Sequence, residues 1–342
     1  MKFDSVLVSI TEVCTVGCRH CGFRGSERDR EADPEEIARW IRQACDYGVP
    51  KIILTGGEPF QRFERVEAAV AAARKHPRAP EVACFTSSIW ASSHDAVNRH
   101  LARVRGLTHL YLSTDVFHQE KVPPQYVMNV IDVARDHGVR HISLCVTIAK
   151  KAEEEQTREI FRDYLDKVLF HVDYVIPTPF LVGIQAAGTT PEPAHFQSTC
   201  YLDTPLINPN GDLSACHIGK AGAYVNLSEQ VYFLGNLNER SFSSLMDDAE
   251  GNYEYQYLRV FGPRGIARMV AQSERLGALF GAQRFTNGCD LCYRVLRTPE
   301  ARAAFQELVN SSEIQQVVNA ARFVRFGEQT AGRLETLSPA MR

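Results

Sequence analysis

The sequence predicts an α/β protein. A parallel sheet, either open or closed part-way into a barrel, precedes a smaller loop-rich region and a C-terminal helix. Three observations carry this. Strand-like and helix-like segments alternate through the first half of the chain. Several of the strand-like segments are apolar through most of their length, as strands covered on both faces are. After about Pro177 the rhythm breaks, and Gly, Pro, Thr and Ala become frequent through Pro193.

Val6 to Ile10 reads as the first strand. Asp33-Pro34-Glu35-Glu36 reads as a helix start: Asp33 can cap, Pro34 fits the first turn, and Glu36 stands three residues after the cap. Ile37, Trp40, Ile41, Ala44 and Cys45 follow at helical spacing, and Gly48 ends the run. Further strands are expected at Lys51–Leu54, Val82–Phe85, His109–Ser113, His141–Thr147 and Val172–Ile176. The helices between them are expected at Arg62–Lys75, His94–Val104, Pro124–His137 and Glu153–Lys167. Beyond the break, Asn210-Gly211-Asp212 signals a hairpin. Helical patterns return at Ser241–Met246 and Gly265–Leu279, and one last helix is expected from Pro299 to about Phe323. The tail from Gly327 is expected to fray.

Composition narrows the function. The chain has 342 residues, 44% hydrophobic and 23% charged, which excludes disordered, collagen-like and coiled-coil chains. A net charge of −3 excludes a strongly basic nucleic-acid or anionic-membrane binder, so neither partner is expected. No apolar run approaches the roughly 18 residues of a membrane span, and the first ten residues do not form a signal peptide. The expected location is the cytoplasm.

Ten cysteines in such a chain favour metal ligation over disulfides. Cys45, Cys84 and Cys145 stand alone in apolar segments and read first as small buried hydrophobes. The other seven fall into two groups. Cys14, Cys18 and Cys21 form CxxxCxxC in the loop after the first strand. Three thiolates cannot close a tetrahedral zinc site unaided; they can hold three irons of a cubane and leave the fourth open. The second strand runs directly into Gly56-Gly57-Glu58-Pro59, where the glycines permit close approach to backbone and Glu58 can accept a charged hydrogen bond.

Together these two motifs resemble the radical SAM superfamily over about residues 4–180. The resemblance implies a partial (βα)6 barrel, with Cys14, Cys18 and Cys21 on a [4Fe–4S] cluster whose open iron binds S-adenosylmethionine (SAM). It implies that Gly56, Gly57 and Glu58 hold the SAM amino group and that His20 lies near the adenine. Thr86-Ser87-Ser88 stands where many members have Thr-Asn-Gly, which makes Ser87 an adenosine contact. Ser113-Thr114-Asp115 resembles the family's Ser-x-Asp segment near ribose and substrate, with His118 on the same loop. This polar cluster equally suits helix capping before Pro124.

Cys200 and Cys216 flank the hairpin signal, and Cys289-Asp290-Leu291-Cys292 supplies a later CxxC. Four thiolates so arranged suit a closed tetrahedral site, and structural zinc is one reading. Beside a radical SAM core, the pattern resembles the twitch domain, the shortened SPASM extension, which implies one auxiliary [4Fe–4S] cluster on all four cysteines. The implied division is a barrel at 1–180, an α+β twitch region at 181–298, and a C-terminal helix and tail at 299–342.

The resemblance implies cleavage of SAM to a 5′-deoxyadenosyl radical, fed by a donor such as flavodoxin or ferredoxin. That radical takes a substrate hydrogen, and oxidation or epimerisation of a small sugar, cyclitol or nucleoside precursor follows. Cys145 and Cys84 are thiols that could point inward as hydrogen donors, and Asp115 and His118 are further catalytic candidates. Pro177–Gly188 is expected to line the substrate site. Peptide maturation is the alternative. The first strand begins within a few residues of Met1, so no fused leader-peptide domain is expected before it, and the small substrate is favoured. A non-catalytic zinc protein would explain the second cysteine group but not the first.

Overall fold

The computed structural model describes residues 1–21, 30–175, 189–196, 200–216 and 232–329. Most of Pro177–Pro193, including all of Pro177–Gly188, lies outside these residues.

Six parallel strands form the expected first half: β1 (Val6–Thr11), β2 (Lys51–Gly56), β3 (Glu81–Thr86), β4 (His109–Ser113), β5 (His141–Ile148) and β6 (Leu169–Tyr174). Between them lie α1 (Pro34–Tyr47), α2 (Phe63–Lys75), α3 (His94–Leu101), the short α4 (Val116–Gln119), α5 (Pro124–Val133) and α6 (Lys151–Ile160). Asp33 caps α1 through its carboxylate, and Gly48 ends it at φ 112°, as the sequence indicates. The α/β class with a parallel sheet of partial-barrel type is borne out.

Strand alternation sets the two faces. Val6, Val8, Ile10, Ile52, Leu54, Val82, Cys84, Leu110, Leu112, Ile142 and Leu144 pack outward against the helices in the main core. Trp40 and Ile41 of α1 are fully buried there. Each such side chain contributes roughly 1.5–3 kcal/mol. The opposite face carries a small apolar plug of Leu7, Ile53, Ala83 and Leu206, closed by Phe85 and Tyr111.

The second cysteine region joins the same sheet. Strands β7 (Leu206–Ile207), β8 (Asp212–Ser214) and β9 (Phe233–Asn236) extend it to the order β6-β5-β4-β3-β2-β1-β7-β8-β9. Strand β7 runs parallel to β1, and β8 returns antiparallel through the Asn210-Gly211 turn, with Gly211 at φ 86°. Helices α7 (Phe242–Glu250), α8 (Tyr253–Gln272), α9 (Glu274–Phe280), α10 (Gly288–Arg297), α11 (Pro299–Val309) and α12 (Ser312–Phe326) follow. Most of them pack around a second core that includes Leu258, Ile266, Phe285, Leu291, Val295 and Phe305.

Three sequence expectations are corrected. The single last helix is two, because Ser311 caps α12 immediately after α11 ends at Asn310. The Gly265–Leu279 helix belongs to the longer α8, which Gly262-Pro263 kinks, and to α9. The fold extends past the expected start of the tail at Gly327, and residues 330–342 lie outside the described ones. That glycine caps α12 at φ 62°, and Glu328 is buried between Arg259 (2.8 Å) and Arg322 (2.9 Å). Arg322 also pairs with Glu250, which holds the amino terminus of Met1 at 3.1 Å.

Candidate active site

The parallel strands present their C-terminal ends together, the edge at which α/β folds build sites. The loop after β1 carries Cys14, Cys18 and Cys21, with Cys18 buried. The backbone N–H groups of Val16 and Gly17 both donate to the Cys14 sulfur, and Gly17 sits at φ 64°. Consecutive N–H groups turned onto one sulfur form a nest for negative charge. Burial raises the Cys14 thiol above its ordinary value, and those two donors oppose it. Three thiols on one loop with a preformed donor nest fit a cluster ligated by thiolates.

The Gly-Gly pair clamps this loop. Gly57 N donates to Thr11 O (2.7 Å) and Glu58 N donates to Val13 O (2.9 Å). The backbone that the glycines admit is therefore that of the cysteine loop itself.

Glu58 was expected to hold an amino group. It is 1% exposed. Its Oε1 accepts from Phe60 N (3.1 Å) and Thr86 Oγ1 (2.8 Å), and its Oε2 accepts from Ser87 N (2.7 Å) and Ser87 Oγ (2.5 Å). Burial raises its pKa, and these four donors pull the other way. Glu58 thus braces the end of β2 against the end of β3, and Ser87 is its partner.

Ser88 completes this turn at φ 64°, fully buried. Its Oγ has no hydrogen-bond partner among the described residues. An L residue held left-handed costs about 1–2 kcal/mol. Ser88→Gly is therefore expected to stabilise the protein by about 1 kcal/mol, read as a higher urea midpoint; a lower midpoint would show that the hydroxyl is needed.

Of the two readings of Ser113-Thr114-Asp115, capping is the one realised. Asp115 is fully buried and caps α4. It accepts from Phe117 N and His118 N (3.0 Å each), His118 Nδ1 (2.9 Å) and Thr147 N (3.1 Å). Burial lowers the His118 pKa, but Asp115 and a hydrogen bond to Cys18 outweigh it and push it up to about 10. His20 packs its ring against Phe117 (4.8 Å) and His118 (4.9 Å). Arg19 pairs with Glu120 at 2.5 Å, fastening the cysteine loop to the end of α4.

Above the apolar plug, the inward face turns polar. Ser9 pairs in register with Thr55, and Ser113 with Cys145 and then His171. Cys145 is on the inward face, and burial pushes its thiol up to about 12. Cys84 is on the outward face in the main core, packed as a small buried hydrophobe.

The second cysteine group assembles from three directions. Cys200 precedes the turn before β7, Cys216 follows β8, and Cys289 and Cys292 lie on the first turns of α10, which Asn287 caps. Burial is the largest cause raising the Cys200, Cys289 and Cys292 thiols, and neighbouring thiols of the same group add to it. A buried Tyr232 hydroxyl lies 3.2 Å from the Cys292 sulfur. Sequence reasoning missed Tyr232; no local pattern marks it.

Tetrahedral zinc at 2.3 Å from each thiolate sets sulfurs about 3.8 Å apart. Among the described residues, the one trio of His, Cys, Asp and Glu ligand atoms within 4.8 Å of one another is His20, Asp115 and His118.

With this geometry in place, the comparisons identify the first half. Residues 8–163 match the Radical SAM superfamily. This stretch is a radical SAM domain. It spans both the cysteine loop and Gly56-Gly57-Glu58, and the second cysteine group lies beyond it. Radical SAM proteins use a [4Fe–4S] cluster and SAM, for which the loop just described fits. The probable GTP 3′,8-cyclase of Methanosarcina mazei is 27% identical over 191 residues, covering 50% of this chain and 54% of that protein. The GTP 3′,8-cyclase of Pectobacterium atrosepticum is 33% identical over 159 residues, covering 42% and 46%. The chain thus spans about half the length of the curated relatives it matches. Among solved structures, native anSMEcpe with bound AdoMet and Cp18Cys peptide superposes with a TM-score of 0.55 at 12% identity, covering 94% of this chain and 99% of that one. Streptococcus suis SuiB bound to S-adenosylmethionine gives 0.54 at 14%, covering 71% and 65%. These likenesses show the radical SAM fold. Among the described residues no helix is long and apolar enough to cross a membrane.

Proposed function

We propose that the radical SAM domain holds its cluster on Cys14, Cys18 and Cys21, and that the protein oxidises or epimerises a small hydroxylated precursor of sugar, cyclitol or nucleoside type. Cluster and SAM together supply a one-electron cleavage that yields the 5′-deoxyadenosyl radical. The observation that carries the reading is the three-thiol loop, its Cys14 sulfur already in a nest of N–H groups, clamped by Gly57 and Glu58.

The chain's own residues bind and orient. Gly56, Gly57, Glu58 and Ser87 border the SAM site; an ammonium group arriving at Glu58 takes the place of the Ser87 hydroxyl on Oε2. His20 offers a ring face to the adenine, and Ser113 offers a hydroxyl from the end of β4. The inward row of Ser9, Thr55, Ser113, Cys145 and His171 supplies hydrogen bonds for a polar substrate above an apolar floor. The curated relatives, named for GTP, point the same way, towards a small polar molecule.

We assign Cys200, Cys216, Cys289 and Cys292 to an auxiliary [4Fe–4S] cluster in a twitch-like region at 181–298, between the barrel at 1–180 and the C-terminal helices at 299–342. Asp173, near the end of β6, adds to the burial that raises both the Cys145 and the Cys289 thiols, which supports setting these cysteines beside the inward face. An external flavodoxin or ferredoxin supplies the electron.

Iron, sulfide and zinc per chain after anaerobic reconstitution test this. About eight irons are expected for two cubanes. Cys289→Ala with Cys292→Ala should lower that to about four while 5′-deoxyadenosine formation from SAM survives. Four irons plus one zinc in the unmodified protein would make the second group a structural clasp. No iron would leave a zinc protein. Stimulation of SAM cleavage by peptides, and not by sugars or nucleotides, would move the substrate to the peptide class.

A further inference from the structure

The opposite end of the sheet carries ligand-type side chains that the proposed chemistry does not use. Strands β3, β4 and β5 begin with Glu81, His109 and His141. Strand alternation puts all three on the inward face, because Val82, Leu110 and Ile142 pack outward in the main core. The cysteine loop and Glu58 follow strand ends, so this group sits at the rim away from the radical SAM site. His109 pairs in register with His141, and their rings stack 4.4 Å apart at 21°. His109 Nε2 lies 3.7 Å from Glu81 Oε2.

The protons decide what that last contact is. The Thr108 hydroxyl donates to Val82 O (2.9 Å), so its oxygen accepts from His109 Nδ1 at 2.7 Å. Nδ1 therefore carries the ring proton, and Nε2 presents a lone pair to a carboxylate oxygen. Burial lowers the His109 pKa to about 4, with Lys51 adding to it and Glu81 opposing, so the ring is neutral at pH 7. Two acceptors that face each other repel unless a cation lies between them. The neighbouring cations are held elsewhere: Arg140 bonds Glu81 at Oε1 (2.9 Å), and Lys51 donates to Tyr111 Oη (2.9 Å). Ligands about 2.1 Å from one tetrahedral ion stand roughly 3.4 Å apart, so 3.7 Å is close to the span that one ion needs. A hydrogen bond on the far ring nitrogen, here from Nδ1 to Thr108, is what orients metal-binding imidazoles. The three residues do not close within 4.8 Å as His20, Asp115 and His118 do. Glu81 and His109 are the pair in place, and the exposed His141 turns about its side-chain bonds to complete the set.

We propose that Glu81, His109 and His141 bind one divalent transition-metal ion of zinc type at the N-terminal rim of β3, β4 and β5. Two imidazoles and a carboxylate, with water in the fourth position, suit Zn²⁺. The ion ties three neighbouring strands together and replaces the repulsion between Nε2 and Oε2 by two bonds. The site is independent of how the ten cysteines are used.

The test uses the full chain with its cysteines loaded with iron and sulfide, dialysed against Zn²⁺ and desalted. Zinc per chain and zinc X-ray absorption are read together. About one zinc per chain is expected, with nitrogen and oxygen neighbours at about 2.0–2.1 Å and no sulfur at about 2.3 Å. His141→Ala and Glu81→Gln should each weaken zinc binding by at least the roughly tenfold that losing an outer contact costs, with the iron count unchanged. Zinc should raise the urea midpoint of the unmodified protein and leave that of His141→Ala where it is. Absence of retained zinc would overturn the proposal, as would zinc retained equally by both variants. A shell of sulfur alone would also overturn it and assign the zinc to the cysteines. Failure of the cluster reading looks different: the iron would not load, sulfur-bound zinc would appear, and His141→Ala would still remove one zinc bound through nitrogen and oxygen.

Discussion

Replacing Cys14, Cys18 and Cys21 together by alanine is expected to remove about four of eight irons and to bring SAM cleavage below detection. The loss should be chemical and not structural. The loop is held by main-chain bonds, Gly57 N to Thr11 O and Glu58 N to Val13 O, and by Arg19 on Glu120. None of these involves a thiol. Burial of the Cys18 sulfur is the main packing lost, worth about 1 kcal/mol, small beside the stability of a domain this size. Far-ultraviolet circular dichroism and the urea midpoint should therefore stay close to those of the unmodified protein. The iron lost should equal that lost on Cys289→Ala with Cys292→Ala, and combining all five changes should leave none. Retention of eight irons, or of 5′-deoxyadenosine formation, in the triple variant would remove the radical SAM cluster from this loop.

Much of this was legible because it is local. Strands covered on both faces are apolar in runs, so β1 to β5 could be placed from residues such as Val6–Ile10 and His141–Thr147 alone. Asp33 and Gly48 bound α1 by rules of backbone geometry. The two cysteine groups announced themselves by spacing. What was not legible depends on contacts distant in the chain. A two-residue strand such as Leu206–Ile207 has no periodicity to read, yet it pairs with Leu7 and Val8 across about two hundred residues. Glu328 looks like part of a polar tail until Arg259 and Arg322 are brought to it. Asp115 was open between capping and ligand contact because both uses need the same two oxygens; its cap is visible only once Thr147 N and His118 Nδ1 arrive from β5 and from the next turn of chain. Glu58 shows the same ambiguity. A carboxylate at a strand end can receive a ligand, bind strand to strand, or do both, and only the positions of Thr86 and Ser87 reveal the second use here.

The largest structural effect is expected from Gly57→Ala. A Cβ on Gly57 would lie 2.2 Å from Val13 O, 2.5 Å from Val13 C and 2.7 Å from Glu12 O. All three are backbone atoms, so no rotamer change relieves the clash. The cysteine loop must lift from β2, and the bonds from Gly57 N and Glu58 N to the loop are lost with it. Unmaking two buried main-chain bonds costs on the order of 2–6 kcal/mol, and Glu58 loses its fixed place against Ser87. Gly56→Ala adds a second cause, since its Cβ would lie 2.1 Å from Thr11 O and its φ is 144°. Gly138→Ala separates the two effects. That glycine is also left-handed, at φ 87°, but a Cβ there meets nothing within 4 Å, so only the strain of about 1–2 kcal/mol remains. The expected order of destabilisation in urea is Gly56→Ala and Gly57→Ala well above Gly138→Ala. Only the first two should also lose the iron bound by Cys14, Cys18 and Cys21. A Gly57→Ala protein that keeps all its iron and its urea midpoint would show that the loop is anchored by something other than the glycine pair, and the coupling of the two motifs argued above would have no structural basis.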